Sequence, residues 1–294
     1  EKVMGILYIA ECCNNHMGSL PLALELIDAA AGAGATHAKF QLFRADSYWS
    51  DIVRRERVRP FELPHLWLPH LRNHCHEKGI KFGVSVFAID LVAQLKDTCD
   101  FVKIASGDLM WFDLLKEVAS LQLPMVVSTG MASLEEIHMA VETIYAAGFK
   151  DKLSLLHCVS AYPAQEKDYN LRFIETLHQE FPAAEIGVSD HTQGLVFPVV
   201  AIVAVILGAS VIEKHMRLTA DRYPNVGTEK NHFPSILNSP DFGHSLTPNN
   251  FEHMIMKVKL ALSCLGSGIK TGPIEVEEPI YDLVRRYNHK VLRG

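Results

Sequence analysis

No apolar run in these 294 residues reaches the ~20 that a bilayer-spanning helix requires; the longest uncharged stretch, Leu195 to Gly208, falls short. No signal-peptide pattern precedes the first predicted strand. Positive charge is also scarce. The 28 Lys and Arg stand against 34 Asp and Glu, a net charge of −6, which removes the electrostatic case for nucleic acid or an anionic membrane surface. Small-molecule substrates are the expected partners. Cysteine is limited to six scattered positions (Cys12, Cys13, Cys75, Cys99, Cys158, Cys264) without the spacing of a disulfide framework, so reduced thiols and a cytoplasmic setting are expected.

What is present is a hydrophobic content of 48% and a nearly unbroken alternation of short and long apolar segments, enough for a large core. Short runs predict strands near 5–10, 36–41, 80–85, 100–104, 124–128, 153–158, 185–188 and 209–213. Stretches with 3.6-residue periodicity predict helices near 20–33, 64–78, 88–96, 110–121, 133–147, 169–180, 194–206 and 248–264. Ser133-Leu134-Glu135-Glu136 reads as a capping box, and Gly32, Gly34, Gly79 and Gly148 fall where helices should stop. Eight strand–helix units predict an α/β TIM (β/α)8 barrel in one domain over 1–265, followed by a linker-like tail over 266–294. Two segments, 43–62 and 219–247, read as irregular loops on the strand-exit side, the length of functional lids.

In a parallel barrel the strand C-termini converge on one mouth, and here those ends are polar. They read Glu11; Lys39 and Gln41; Ser85; Lys103 and Ser106; Ser128 and Thr129; Ser160 and Tyr162; Ser189 and His191; Glu213 and His215. Strand alternation projects Lys39 with Gln41, Ser189 with His191, and Glu213 with His215 to the same side. Lys39 and Lys103 then enter a crowded interior where an unpaired ammonium is costly and a bound anion relieves the cost, so an anionic substrate is implied. Ser106-Gly107 and Ser128-Thr129-Gly130 precede helices and offer hydroxyls and free amides for a phosphate or carboxylate. His191 and His215 on adjacent strands suit a divalent metal: Mn²⁺, Zn²⁺ or Fe²⁺, or Mg²⁺ with water completing the shell. Glu11 and Glu213 either pair with the lysines, or bind a hydroxyl and move a proton.

Other groups read as structural. Adjacent Cys12 and Cys13 have no evident base and read as packing. His65, His70, His74 and His76 read as a solvated helix face, and Arg54, Arg55, Arg57 and Arg59 as an exposed loop stripe. Nothing in the sequence pairs His232, His244 or His253 with a second ligand.

These residues resemble the sialic acid synthase family, which condenses phosphoenolpyruvate with an N-acylated sugar to give nonulosonic acids. The resemblance runs through Ile9-Ala10-Glu11 with Asn15-His16-Met17-Gly18, Ala38-Lys39-Phe40-Gln41, Glu62-Leu63-Pro64, Phe101 to Asp108, Val127 to Met131, His157-Cys158 with Tyr162-Pro163, Ser189 to Gly194, and Glu213-Lys214-His215. It implies a metal-dependent transferase in which Lys39, Ser85, Lys103, Ser106, Ser128, Ser160 and Ser189 bind phosphoenolpyruvate. His191 and His215 would ligate the metal, Mn²⁺ foremost; Glu11, Glu213 and His215 would serve catalysis; Gln41, Tyr162 and Asp241 would face the sugar.

The chain departs from the family at Met17, at Ser85-Val86-Phe87 and over 219–239, which leaves the acceptor open between N-acetylmannosamine and a diacetamido analogue. The family's C-terminal antifreeze-like domain is expected to be missing, with 219–247 as a substitute lid and the homodimer weakened accordingly. Three rivals stay open: an aldolase using phosphoenolpyruvate and a phosphorylated or unusual aldose, a Schiff-base aldolase acting through Lys103, and a barrel that binds phosphoenolpyruvate without turnover.

Overall fold

A computed structural model describes residues 5–48, 50–193, 197–223 and 241–284. Eight parallel strands close into a barrel in sequence order: β1 (Leu7–Cys13), β2 (His37–Leu42), β3 (Lys81–Val86), β4 (Phe101–Ile104), β5 (Met125–Ser128), β6 (Leu153–Cys158), β7 (Glu185–Asp190) and β8 (Val211–His215), with β8 pairing back onto β1. The fold is the single-domain TIM barrel that the alternation predicts. Around it lie α1 (Leu20–Gly32), α2 (Ala45–Tyr48), α3 (Ile52–Val58), α4 (Leu68–Glu77), α5 (Phe112–Ser120), α6 (Leu134–Ala146), α7 (Phe173–Glu180), α8 (Val199–Ile206), α9 (Pro248–Leu265) and a last turn, α10 (Tyr281–Val284).

The longer helices each bury one stripe. In α6, Ile137, Ala140, Val141 and Ile144 recur at helical spacing and face the strands. Its start is set by the Ser133–Glu136 capping box, whose two reciprocal bonds measure 2.8 and 3.2 Å. The main core lies between helices and strands. A smaller core inside the barrel joins Ile9, Phe101, Val126, Leu156 and Val211. Two glycines make room for it: a Cβ on Gly83 would lie 2.5 Å from the Phe101 ring, and one on Gly187 would lie 2.4 Å from the Val211 carbonyl oxygen. That plug closes the floor, so polar side chains one layer above it can be reached only from the strand-exit mouth.

Two expectations need correction. The 88–96 segment is a 3₁₀ stretch, Ile89–Gln94, rather than an α-helix. A 3₁₀ turn rises about 2.0 Å per residue against 1.5 Å, which lets a short connection return along the barrel wall. The 43–62 segment is not irregular, since it carries α2 and α3. Asp51 caps α3 by accepting from the Arg54 amide at 2.8 Å, and Arg59 is tied to Asp46 and Glu56 rather than standing in a free stripe. Residues 224–240, which include His232 and most of the proposed lid, lie outside the described residues.

Candidate active site

The polar layer above the plug is an alternating ring of charge. Glu11 on β1 faces Lys39 on β2 across a direct register pair, and their side chains form a tight ion pair. Lys39 also donates to Ser85 Oγ at 2.6 Å. Across the barrel, Lys103 donates to Glu213 Oε1 at 2.9 Å, and Ser189 Oγ donates to the same oxygen at 2.8 Å. All six residues are buried. The lysines are therefore paired, the first of the two roles the sequence leaves open for Glu11 and Glu213, because the barrel register sets a carboxylate beside each.

The charges remain poised. Burial pushes Lys39 down to about 7 despite the pull of Glu213. Burial would raise Glu213, but Lys103 and Lys39 outweigh it and hold the carboxyl at about 2. Its Oε2 is buried without a hydrogen bond among the described residues, 3.6 Å from Lys39 Nζ.

Beside Lys103 lies a hydroxyl pocket at the ends of β4, β5 and β6. Ser106 Oγ accepts from the Gly130 amide at 3.0 Å and touches Cys158 Sγ at 3.0 Å. Among the described residues the buried hydroxyls of Ser128 and Ser160 have no hydrogen-bond partner. Unsatisfied buried hydroxyls cost free energy unless a ligand completes them, and here they sit beside an ammonium. A Cβ on Gly130 would come within 2.5 Å of Ser160 Oγ and 2.8 Å of Ser106 Oγ, so the pocket depends on that glycine.

A third group gathers imidazoles and a thiol. His191 donates from Nδ1 to the Val159 carbonyl at 2.8 Å, which leaves Nε2 with its lone pair, 3.3 Å from Ser189 Oγ. The His191 and His215 rings lie 5.2 Å apart between centroids, and His244 lies 4.3 Å from His215. Burial and the neighbouring His244 and His191 rings hold His215 well below the ordinary histidine value. Burial holds His244 at about 3, and raises the Asp241 carboxyl to about 6. Cys13 Sγ stands 2.9 Å from His215 Nδ1. Neutral imidazoles with free lone pairs, a thiol and a carboxylate form a donor set that fits a divalent transition ion.

The expected sugar-facing residues flank this group. Gln41 accepts from Asn14 Nδ2 at 2.9 Å and reaches Cys13 Sγ. Tyr162 is half exposed, its ring 4.5 Å from that of His191. Asp241 is buried 3.8 Å from His215 Nδ1. On the same strand-exit side, after β2, β3 and β4, lies an open cleft of about 390 Å³ lined by Tyr48, Phe87, Asp108 and Trp111.

The residues proposed from the strand ends thus meet at one rim, save Thr129, whose hydroxyl donates to the Leu156 carbonyl at 3.1 Å. Two that sequence reasoning set aside join them. Cys13, read as packing, is buried against His215, and its parity with Glu11 was a usable signal for that placement. His244 does have neighbours with ligand character, which no local periodicity could have shown.

Comparison with known proteins agrees with this architecture. The family model described as the NeuB family matches residues 26–270. An N,N'-diacetyllegionaminic acid synthase from Legionella pneumophila is 35% identical, over 95% of this chain and 78% of its own length. The spore coat polysaccharide biosynthesis protein SpsE of Bacillus subtilis is 35% identical, over 92% and 70%. The crystal structure of an N-acetylneuraminic acid (sialic acid) synthetase from Leptospira borgpetersenii, in complex with citrate, superposes with a TM-score of 0.79 at 30% identity, covering 96% of this chain and 93% of that one. A barrel with this ring of ammonium, carboxylate and imidazole groups is an enzyme of the synthase class. The chain belongs to the NeuB family.

Proposed function

We propose that this enzyme condenses phosphoenolpyruvate with an N-acylated hexose-type aldose and water, giving a nonulosonic acid and phosphate. N-acetylmannosamine or a diacetamido analogue is the acceptor class, in keeping with the names of the relatives. The observation that carries this reading is the hydroxyl pocket beside Lys103, with Ser128 and Ser160 awaiting a partner and the Gly130 amide turned into the same space.

C3 of phosphoenolpyruvate bonds to the aldehyde carbon of the acceptor, water adds at C2, and phosphate leaves by C–O cleavage with that water's oxygen retained in the product. Lys103, Ser106, Ser128 and Ser160 hold the phosphate, while Lys39, Ser85 and Ser189 hold the carboxylate end. Their fixed dipoles stabilise charge as it moves from carbon to phosphate. Glu213 stays ionised, so its unpartnered Oε2 accepts a hydrogen bond from the attacking water. Glu11 takes the released proton or passes it to Lys39, which is poised near neutrality. Gln41, Tyr162 and Asp241 orient the acceptor, whose far end lies toward the cleft at Tyr48 and Trp111. His191 and His215 would hold a divalent ion, Mn²⁺ by family resemblance with Zn²⁺, Fe²⁺ or Mg²⁺ as alternatives. When bound, such an ion supplies Lewis acidity toward the acceptor carbonyl. We further propose a cytoplasmic enzyme with its catalytic domain over 1–265; all six cysteines are free and no described helix is long and apolar enough to cross a membrane.

The test incubates the protein with a divalent ion, a panel of aldoses with and without phosphate, and phosphoenolpyruvate labelled with ¹⁸O at the bridging oxygen. Label in phosphate and a product heavier than the aldose by the pyruvyl unit are expected with an unphosphorylated N-acyl sugar. No phosphate release with any acceptor would leave only a binding barrel. His215→Ala should abolish release with far-ultraviolet circular dichroism unchanged; wild-type turnover would refute its role.

A further inference from the structure

Cys13 occupies a backbone position that ordinary residues avoid. Its φ of 46° is left-handed, and the β1–β2 register slips between Glu11 and Cys13, so the strand bulges at this residue. For a side chain with a Cβ such a conformation is unfavourable and persists where the surroundings hold it. The amide of Cys13 is held by Glu11 Oε1 at 2.8 Å. The bulge carries Sγ to 2.9 Å from His215 Nδ1, with Gln41 Nε2 at 3.6 Å behind it.

A second observation points to the same space from the other side. His244 is fully buried, and neither of its ring nitrogens has a hydrogen-bond partner among the described residues. Its nearest carboxylate oxygen, on Asp241, lies at 3.7 Å, too far for a hydrogen bond, and its ring packs against those of His215, His191 and Tyr162. A buried imidazole with two unsatisfied nitrogens is costly unless something not drawn from the chain binds one of them. One donor atom each from Cys13, His215 and Asp241 lies within 4.8 Å of the others.

We propose that Cys13, as thiolate, and His244 are ligands of the divalent ion, joining His215 and Asp241 in a site with His191 at its rim. This rests on the functional reading above for the presence of an ion, and changes its chemistry. Binding exchanges the thiol proton for the cation. Thiolate and carboxylate then balance the two positive charges, and the imidazoles remain neutral. Such a set favours thiophilic ions, Zn²⁺, Fe²⁺ or Co²⁺, over the Mn²⁺ or Mg²⁺ that oxygen-rich sites select.

The test strips the full-length protein with chelator and titrates it with Co²⁺, read by absorption spectrum and by bound metal per chain. Wild type should bind one Co²⁺ with a near-ultraviolet sulfur-to-cobalt charge-transfer band. Cys13→Ser should lose the band, and both it and His244→Phe should weaken Co²⁺ binding more than about tenfold while leaving the apo-protein's circular dichroism and thermal midpoint within error. Zn²⁺ should displace Mn²⁺ from wild type, with the preference reduced in Cys13→Ser. One Co²⁺ bound without the band, or with affinity unchanged in both variants, overturns this proposal while the histidine-held ion stands. No divalent ion bound by wild type overturns both.

Discussion

Gly130 shows how much a single missing side chain can do. Its backbone is not in a glycine-only conformation, so an alanine is tolerated by the chain; it is the space that is not available, with Ser160 Oγ 2.5 Å and Cys158 Sγ 2.8 Å from where a Cβ would stand. Real Cβ atoms do not approach so closely, so the serines must turn away. Gly130→Ala should therefore raise the KM for phosphoenolpyruvate by about tenfold or more, the loss of one or two hydrogen bonds to a charged ligand, at about 1.5–3 kcal/mol each. The apparent affinity for the aldose and the thermal midpoint should hardly move. Initial-rate kinetics with each substrate varied in turn reads the difference; an unchanged KM for phosphoenolpyruvate would remove the pocket from the phosphate.

At the level of elements, the ends of β7 and β8 are locked together on the outer face of the barrel. Asp190 Oδ1 accepts from the Thr192 amide and hydroxyl at 2.8 and 2.7 Å, and Lys214 Nζ lies 3.3 Å from Asp190 Oδ2 while donating to the Thr192 carbonyl. Both ionic side chains are buried, and each is followed by a histidine of the candidate site. Removing one charge of such a pair strands the other, at a cost of about 3–5 kcal/mol. Asp190→Asn should lower unfolding stability by that amount in urea titrations, and weaken metal binding through the loosened His191. A shift below about 1 kcal/mol would show that the lock carries no load. The paired strand ends were legible because alternation separates Ser189 and His191 from Asp190. The lock itself was not, since nothing in Glu213-Lys214-His215 says which outward carboxylate Lys214 meets.

Across the whole molecule, eight apolar runs and their polar exits were enough to infer the barrel and most of its rim. What stayed hidden was contact between distant segments, above all the meeting of Cys13, His215 and His244. The same long-range packing sets the pH response. His16 is buried between the rings of Phe40 and Trp67, accepting from the Gly18 amide at 3.1 Å, and His37 packs edge-on against Phe101. Burial holds both at about 4, against an ordinary value of 6.5. Between those limits the folded chain keeps them neutral and the unfolded chain protonates them, so the unfolded state binds more protons and stability falls as pH falls from 6.5 toward 4, then levels off. Two such groups contribute a slope of roughly 2–3 kcal/mol per pH unit near pH 5. Urea unfolding at pH 7, 6 and 5 should show the decline, and His16→Asn, which keeps an acceptor for the Gly18 amide, should remove about 1 kcal/mol per pH unit from it. An identical slope in the variant would mean that His16 titrates in the fold much as it does in water, and that the packing of the β1–α1 turn against Phe40 and Trp67 does not exclude solvent.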